Sequence, residues 1–191
     1  MSAKVEFLIK AIEEVQETNR FLDAKAGVLV AFESSLLVIA ISSLSDNSRL
    51  QLIKNLMTGG AGWYSLLLIV YFTVYVIALL GHILITLRVI FPAENPESHI
   101  VLGDFEPKRL FFLHQLDQNQ QMTPSVPAYF AQLAKMGEDD IGKEYVFELL
   151  KLSYIRKIKS DGLALSFRFL GALIIGITIL GFLLALGGLV Y

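Results

Sequence analysis

Three ionisable residues lie inside otherwise apolar stretches of this 191-residue chain: Glu33, His82 and Arg168. A carboxylate, an imidazole and a guanidinium can form ion pairs or share a proton, and each is costly in a lipid environment. At about 1.5 Å of helix rise per residue, the three lie at similar depth in their stretches, so Glu33 could pair with Arg168 or with His82. Such a pair would either fix helix rotation as a structural contact or act as a gate that breaks on rearrangement. Arg168 could instead reach water by itself.

The rest of the chain has no arrangement of side chains typical of catalysis. There is no cysteine, which excludes disulfides, thiolate metal sites and cysteine nucleophiles. His99 and His114 have no second metal ligand at a recognised spacing, and the glycines do not form a phosphate-binding loop. The sequence therefore predicts a protein that is not an enzyme and has neither a metal site nor a cofactor. A net charge of −2 gives no reason to expect a nucleic-acid partner.

Two basic groups could bind an anion. Lys108 and Arg109 are adjacent in the middle of the chain, and Arg156, Lys157 and Lys159 precede the last apolar stretch. Anionic lipid headgroups are the simplest partner for the second group. An anionic nucleotide is the alternative.

The elements that must position these residues are three long apolar stretches, at residues 26–44, 62–87 and 163–191. A transmembrane helix needs about 20 predominantly apolar residues, and the composition agrees, with 54% hydrophobic residues and a mean hydropathy of +0.59. The sequence predicts an all-α integral membrane protein with three transmembrane helices, long cytoplasmic helical extensions and a small cytosolic helical domain. The expected segments are 1–90 (N-terminal amphipathic helix and two spans), 91–162 (cytosolic helical region) and 163–191 (third span).

The distribution of basic residues predicts the orientation, because lysine and arginine accumulate in cytoplasmic segments. Four precede the first span, eight lie in the segment between the second and third spans, two lie between the first and second, and none follows Arg168. We therefore expect a cytoplasmic N-terminus, a cytoplasmic middle segment and a C-terminus on the outer side.

Two amphipathic helices are predicted next to the spans. Residues 3–25 carry apolar residues at spacings of three and four, with Asn19 as the polar member of the seam, and should continue into the first span. This seam packs on a neighbouring helix of the same chain or on a second copy, with Asn19 fixing the register. The second helix begins at Asp139 or Asp140 and leads into the third span. Its stripe comprises Ile141, Tyr145, Leu149, Leu152 and Ile155, and its polar face Glu144, Glu148, Lys151 and Lys157.

The connecting segments are predicted from their turn residues and apolar runs. A short helix is expected at residues 49–57, with Trp63 and Tyr64 at the membrane interface. Residues 110–113 should form a strand or a buried helical turn, residues 115–123 a polar loop, and residues 127–136 a short helix with proline in its first turn.

Small residues recur in the third span at Ala172, Gly176, Gly181 and Ala185. Pairs of small residues four apart let helices approach closely in lipid. They could serve packing within the chain or assembly of a homo-oligomer, and the small number of internal partners tilts the expectation toward oligomers.

The entrance to the first span resembles a known family. Residues 19–27 read N-R-F-L-D-A-K-A-G, with an Asp-x-Lys-Ala-small core at Asp23, Lys25, Ala26 and Gly27. This resembles the Pycsar effector transmembrane family of bacterial anti-phage defence. Other parts fit in the same order: Arg88 and a proline after the second span, the apolar run 110–112, a helix with Tyr129 and Phe130, and a helix from Tyr145 to Lys157. The resemblance therefore covers nearly the whole chain.

The resemblance implies a non-enzymatic effector in the bacterial inner membrane, with its C-terminus in the periplasm. In that family a separate cyclase makes cyclic CMP or cyclic UMP on infection, the membrane is impaired, and the cell dies or stops before the phage matures. The expected partners are the lipid bilayer, one of these cyclic nucleotides and further copies of the chain. Ligand-binding candidates are Asn19, Arg20, Asp23, Lys25, Lys108 and Arg109.

Other interpretations stay open at the level of sequence. Asp23 and Lys25 could pair with a neighbouring cytoplasmic helix and orient the first span, without binding a ligand. The whole chain could be a constitutive channel subunit, or a membrane scaffold that anchors a cytosolic partner.

Overall fold

Long helices dominate the structure, a computed structural model that describes residues 2–45, 47, 51, 54, 58, 62–91, 95–108, 110–111, 115–116 and 122–190. In chain order the elements are α1 (Ala3–Ser45), α2 (Gly62–Ile90), a 3₁₀ turn (Pro96–His99), β1 (Gln115–Leu116), β2 (Met122–Thr123), α3 (Val126–Leu133) and α4 (Glu138–Val190). The two strands pair antiparallel, with Gln115 opposite Thr123 and Leu116 opposite Met122.

Three of these helices, α1, α2 and α4, are long and apolar enough to cross a membrane. This is the all-α membrane fold that the sequence predicted. At 1.5 Å per residue, the 43 residues of α1 and the 53 residues of α4 measure about 65 and 80 Å. A hydrocarbon core about 30 Å thick covers less than half of either helix. Each therefore includes a part outside the membrane, and the predicted helix at residues 3–25 is confirmed as continuous with the first span.

The buried face of α1 keeps one spacing along almost its entire length. All of its described buried residues lie on a seam whose positions alternate by three and four residues from Val5 to Ala40. The seam positions are Val5, Leu8, Ile12, Val15, Asn19, Leu22, Ala26, Leu29, Glu33, Leu36 and Ala40. In α2 the same alternation runs through Ser65, Leu68, Phe72, Tyr75, Leu79, His82, Thr86 and Val89. A seven-residue repeat of this kind is the seam of left-handed helix packing, so polar residues on it must lie between helices.

The chain forms two compact units. Unit 1 contains Met1–Phe21 and Glu94–Lys157, and unit 2 contains Leu22–Ala93 and Ile158–Tyr191. The segments predicted from the sequence, 1–90, 91–162 and 163–191, were divided at the ends of the apolar stretches. The two units are instead defined by which parts of the chain pack together, so the predicted segments stay a prediction.

Unit 2 is a bundle of the apolar parts of α1, α2 and α4. Its middle is a cluster of Leu36, Ala40, Tyr75, Leu79 and Leu173. A second cluster joins Leu68 to Leu180 and Leu184, and a third joins Ala26, Leu29, Val89 and Leu163. Two of the three clusters draw residues from all three helices, so the bundle has one shared core.

Unit 1 is held together by a buried carboxylate. Glu144 of α4 is 1% exposed. Its two carboxylate oxygens accept hydrogen bonds from the backbone N–H groups of Lys108, at 2.5 Å, and Leu110, at 3.5 Å. The hydroxyl of Tyr129 in α3 donates to the carbonyl of Leu110 at 3.1 Å. These hydrogen bonds fix Lys108 to α4 and Leu110 to both α4 and α3.

The predicted polar face of α4 is therefore wrong in three of its four members. Glu144, Glu148 and Lys151 are buried, and Lys157 is exposed. Of the predicted apolar stripe, Leu152 is buried and the other four residues are half-buried. Helical periodicity indicates which residues share a face, but charged residues with partners can occupy a buried face as well as apolar ones.

The other local predictions have mixed outcomes. Residues 115–123, expected as a polar loop, contain the β1–β2 pair. The short helix expected at residues 127–136 is α3, which ends at Leu133, and the helix expected from Asp139 or Asp140 begins at Glu138. Leu110 and Phe111 form a turn, while residues 112–113 and most of 49–57 lie outside the described residues.

Candidate functional site in the membrane spans

Glu33 occupies a seam position of α1 and is completely buried in unit 2. Its Oε1 atom lies 2.9 Å from Nδ1 of His82 on α2. The same oxygen accepts a hydrogen bond from the hydroxyl of Thr86 at 3.0 Å. Thr86 follows His82 by one helical turn, which is why both side chains reach one carboxylate.

The third helix completes this cluster through Ser166 of α4. The Nε2 atom of His82 lies 3.0 Å from the Ser166 carbonyl oxygen. The hydroxyls of Thr86 and Ser166 are 3.3 Å apart. We call Glu33, His82, Thr86 and Ser166 the polar cluster. All four are less than 5% exposed, so the cluster joins all three spans in their interior.

The two ring nitrogens of His82 have different surroundings. A carbonyl oxygen only accepts, so Nε2 carries a hydrogen and donates it to Ser166 on α4. The Nδ1 atom lies 2.9 Å from Oε1 of Glu33, but it has no hydrogen-bond partner among the described residues. The imidazole is therefore hydrogen-bonded to α4 on one side and lies beside the carboxyl group of α1 on the other.

One oxygen of the polar cluster is left over. Glu33 Oε2 is buried and has no hydrogen-bond partner among the described residues. A buried acceptor without a donor is unfavourable by about 1–3 kcal/mol. The site is thus incompletely satisfied in this arrangement of the helices.

Arg168, the third ionisable residue of the spans, is not part of the polar cluster. Its side chain is exposed, and the partner of Glu33 is His82. Of the two partners that the sequence left open for Glu33, the structure brings the imidazole to it. The exposed position of Arg168 suits a side chain that extends toward the polar interface.

The small residues of the third span occupy two different environments. A Cβ atom at Gly176 would lie 3.0 Å from the Tyr75 ring, and the Tyr71 hydroxyl donates to the Gly176 carbonyl at 2.8 Å. Ala172, Gly181 and Ala185 are exposed, and a Cβ atom at Gly181 would meet nothing within 4 Å. Gly176 therefore packs within the chain, whereas the other three leave a small-residue surface uncovered.

Three tyrosines of α2 were missed as site residues by the sequence interpretation. Tyr64 and Tyr71 donate hydrogen bonds to backbone carbonyls of α4, at Leu183 (2.6 Å) and Gly176 (2.8 Å). The third, Tyr75, is buried, and its hydroxyl has no partner among the described residues. Their spacing along α2, by seven and by four residues, was the available signal, because it places all three on one helix face.

Asn19 and Asp23, two of the ligand candidates at the mouth of the first span, have structural partners. Asn19, in unit 1, is buried and donates to the carbonyl of Leu152 at 3.3 Å. Asp23, in unit 2, lies 2.6 Å from the Lys159 ammonium on α4. This contact agrees with the alternative in which Asp23 orients the first span against a neighbouring helix. Arg20 and Lys25 are exposed.

The two remaining candidates lie in the middle of the chain. Lys108 is exposed at the rim of a 440 Å³ groove that is also lined by Lys143 and by acidic residues, namely Asp104, Glu106, Asp140 and Glu144. Arg109 lies outside the described residues. The excess of carboxylates makes this groove a poor place for a phosphate.

Unit 1 contains a second buried ionic group that the sequence placed on a solvated face. The Lys151 ammonium lies 3.1 Å from Glu148 and 3.7 Å from Glu97 of the 3₁₀ turn. Burial raises the pKa of Glu148, and the charges of Glu97 and Glu144 act in the same direction, while Lys151 opposes the rise. The Lys151 ammonium thus contacts two carboxylates, and this structural arrangement holds the 3₁₀ turn against α4.

Comparison with known proteins gives one family. The sequence model of the family described as "Pycsar effector protein domain" matches residues 7–187. No curated protein and no solved structure matches the chain. The matched range includes both units and all three candidate spans.

Proposed function

Because this chain belongs to the Pycsar effector family, whose members act in cyclic-nucleotide anti-phage defence, we propose that it is a nucleotide-gated effector of the bacterial inner membrane. A cyclic pyrimidine nucleotide, cyclic CMP or cyclic UMP, is the signal. The three spans then rearrange, the membrane is impaired, and the infected cell stops growing or dies before the phage matures. The chain itself catalyses no reaction.

The observation that supports this proposal is the polar cluster in the spans. A helix that serves only as an anchor has no use for a buried carboxyl group, which costs about 2.5–3.5 kcal/mol at the bilayer centre even on a permissive scale. Here Glu33 is held by His82 and Thr86, and its second oxygen has no donor among the described residues. Such a contact gives the helix bundle one well-defined resting arrangement. The second oxygen of Glu33 is then available to accept a hydrogen bond in a different arrangement of the helices.

Orientation and assembly complete the proposal. The basic residues indicate a cytoplasmic N-terminus and middle segment, with the C-terminus in the periplasm. The exposed small residues Ala172, Gly181 and Ala185 support assembly of several copies in the active state, since small residues allow close helix contacts in lipid. The nucleotide would then act from the cytoplasm, where the infected cell makes it.

The test is membrane potential in bacterial cells that produce the full-length protein together with a pyrimidine cyclase. We expect depolarisation only when the cyclase is active, and none with an inactive cyclase variant or with the cyclase alone. Correctly inserted protein that leaves the potential unchanged while cyclic CMP and cyclic UMP accumulate would contradict the proposal.

Two other outcomes of the same experiment would identify the alternatives. A steady conductance without any nucleotide would indicate a constitutive channel subunit. A co-purifying cytosolic partner, with no effect on growth or potential, would indicate a scaffold.

A further inference from the structure

Unit 1 has a groove of about 820 Å³ between the first turns of α1, the segment at residues 100–105 and the first turns of α4. This volume lies within the range of about 300–1,000 Å³ that small-molecule sites occupy. We infer that this groove binds the cyclic nucleotide, with the phosphate at Lys4 and Lys143. The inference rests on the proposed function, and it assigns the site to residues that the sequence interpretation did not consider.

Two lysines of the groove form no ion pair in the part of the chain that the structure describes. They are Lys4 on α1 and Lys143 on α4, which both line it. Lys10 and Lys159, by contrast, are paired with Glu6 at 3.1 Å and with Asp23 at 2.6 Å. Two unpaired ammonium groups on one groove can bind a phosphodiester, which carries a single negative charge.

The start of α1 contributes to the same electrostatic preference. Ser2 and Ala3 line the groove, so the amino-terminal end of a 43-residue helix faces it. The first N–H groups of a helix lack intrahelical acceptors, and the helix dipole gives this end a partial positive charge. This end adds to the two lysines in attracting an anion.

The remaining wall of the groove is apolar, with Phe147 buried and Val101 exposed. Phe105 and Phe147 line it with their rings edge to face, 6.1 Å apart. Val101 in the same wall is 96% exposed. A flat pyrimidine base would cover such surface, and each Å² of apolar area removed from water is favourable by about 25 cal/mol. The groove thus offers an apolar wall for the base beside cations for the phosphate.

Two carboxylates in the groove indicate which base fits. Glu138 and Asp139, in the first turn of α4, line it together with Lys143. A carboxylate accepts a hydrogen bond from the exocyclic amino group of cytosine but repels the carbonyl oxygen that uracil has at that position. The groove is therefore selective for cyclic CMP over cyclic UMP.

Gly142 provides a way to fill the groove without disturbing the fold. It lines the groove between Glu138 and Val146, and a Cβ atom added there would meet nothing within 4 Å. Gly142→Leu should therefore fold while its side chain occupies the ligand volume. Gly171→Leu is the matched control, because Gly171 lies on the same helix, is exposed, and has equally open space.

The experiment is calorimetric titration of cyclic CMP and cyclic UMP into the full-length protein in lipid nanodiscs. We expect wild-type protein to bind cyclic CMP more tightly than cyclic UMP. Lys4→Glu, Lys143→Glu and Gly142→Leu should each raise the Kd for cyclic CMP by about tenfold or more. Lys143→Arg, Gly171→Leu and Lys135→Glu should leave it within about threefold, and circular dichroism should show equal helix content throughout.

The outcomes separate this inference from the proposed function. If wild-type protein binds a cyclic nucleotide but the groove variants bind it equally well, the groove is not the site and the proposed function stands. Tighter binding of cyclic UMP would overturn the assignment of the base. If wild-type protein binds neither nucleotide and cells do not depolarise, both the inference and the proposed function fail.

Discussion

At the scale of single residues, the polar cluster shows how a few side chains define a membrane bundle. Glu33, His82 and Thr86 lie on the seams of their helices, where a polar group is buried and must find partners. Their contacts hold only one rotation of α1 and α2, because a turned helix would place the carboxyl group in lipid. Apolar seam residues such as Leu36 restrict rotation less, since lipid tails and leucine side chains are equally apolar.

We predict that Glu33→Ala destabilises the protein by about 1–3 kcal/mol, because Thr86 loses its side-chain acceptor and His82 loses the carboxyl group beside its ring. Glu33→Gln should recover most of this loss, since the amide oxygen can still accept from Thr86. The measurement is unfolding of the detergent-solubilised protein by mixed-micelle denaturation. Arg168→Ala is the control and should be near neutral, because Arg168 is exposed. Equal losses for Glu33→Ala and Arg168→Ala would contradict the arrangement.

Glu148 in unit 1 has a pKa that is raised above its ordinary value of 4.5, chiefly by burial. The folded state then holds this proton at pH values where the unfolded state has lost it. The contribution of Glu148 to stability is fully present below about pH 4.5 and is lost as the pH rises through the raised pKa. Glu148→Gln should therefore flatten the pH dependence of the unfolding midpoint above pH 4.5, measured by thermal denaturation at constant ionic strength. A difference between variant and wild type that does not change with pH would disprove this.

At the scale of elements, α1 and α4 are each one continuous helix with two kinds of surface. In α1 the three-four alternation of seam residues continues from the charge-rich segment before Leu22 into the apolar segment after it. The helix of unit 1 and the helix of unit 2 are therefore the same element.

Substitutions at Gly176 and Gly181 distinguish small residues that pack within the chain from small residues that contact another copy. Gly176→Leu should destabilise the bundle by about 1–3 kcal/mol, because its side chain would overlap the Tyr75 ring. Gly181→Leu has open space in the single chain, so it should leave monomer stability unchanged. If Gly181 lies in a contact between copies, the same substitution should shift the protein toward smaller assemblies in light scattering. An unchanged assembly size together with full activity would exclude this surface from oligomer contacts.

At the scale of the whole molecule, the apolar clusters of the spans and the groove proposed to bind a ligand lie in different units. Unit 2 has the three apolar clusters and the polar cluster, and unit 1 has the groove with Lys4 and Lys143 and the buried Glu144 and Glu148. The proposed function, in which a cytoplasmic signal acts on the membrane, would use this division. Its test is the side of the membrane on which each segment lies.

We predict the orientation by cysteine labelling, for which the chain is suited because it has no cysteine of its own. A cysteine replacing Gln51 should react with a membrane-impermeant maleimide in cells whose outer membrane has been made permeable. A cysteine replacing Lys135 should react only after the inner membrane is also opened. The reverse pattern would show that the N-terminus and the middle segment are periplasmic.

The sequence by itself determined the class of this protein. Three apolar stretches and the residues at 19–27 were sufficient for a three-span membrane protein and for its family. These features are local, since hydropathy, helical period and a short motif are read within one stretch of chain. Only the tertiary structure decided that Glu33 meets His82 and not Arg168, that Glu144 and Glu148 are buried, and that Lys4 and Lys143 share a groove. These contacts join residues tens of positions apart, and they depend on which helix faces meet, which no single stretch of sequence specifies.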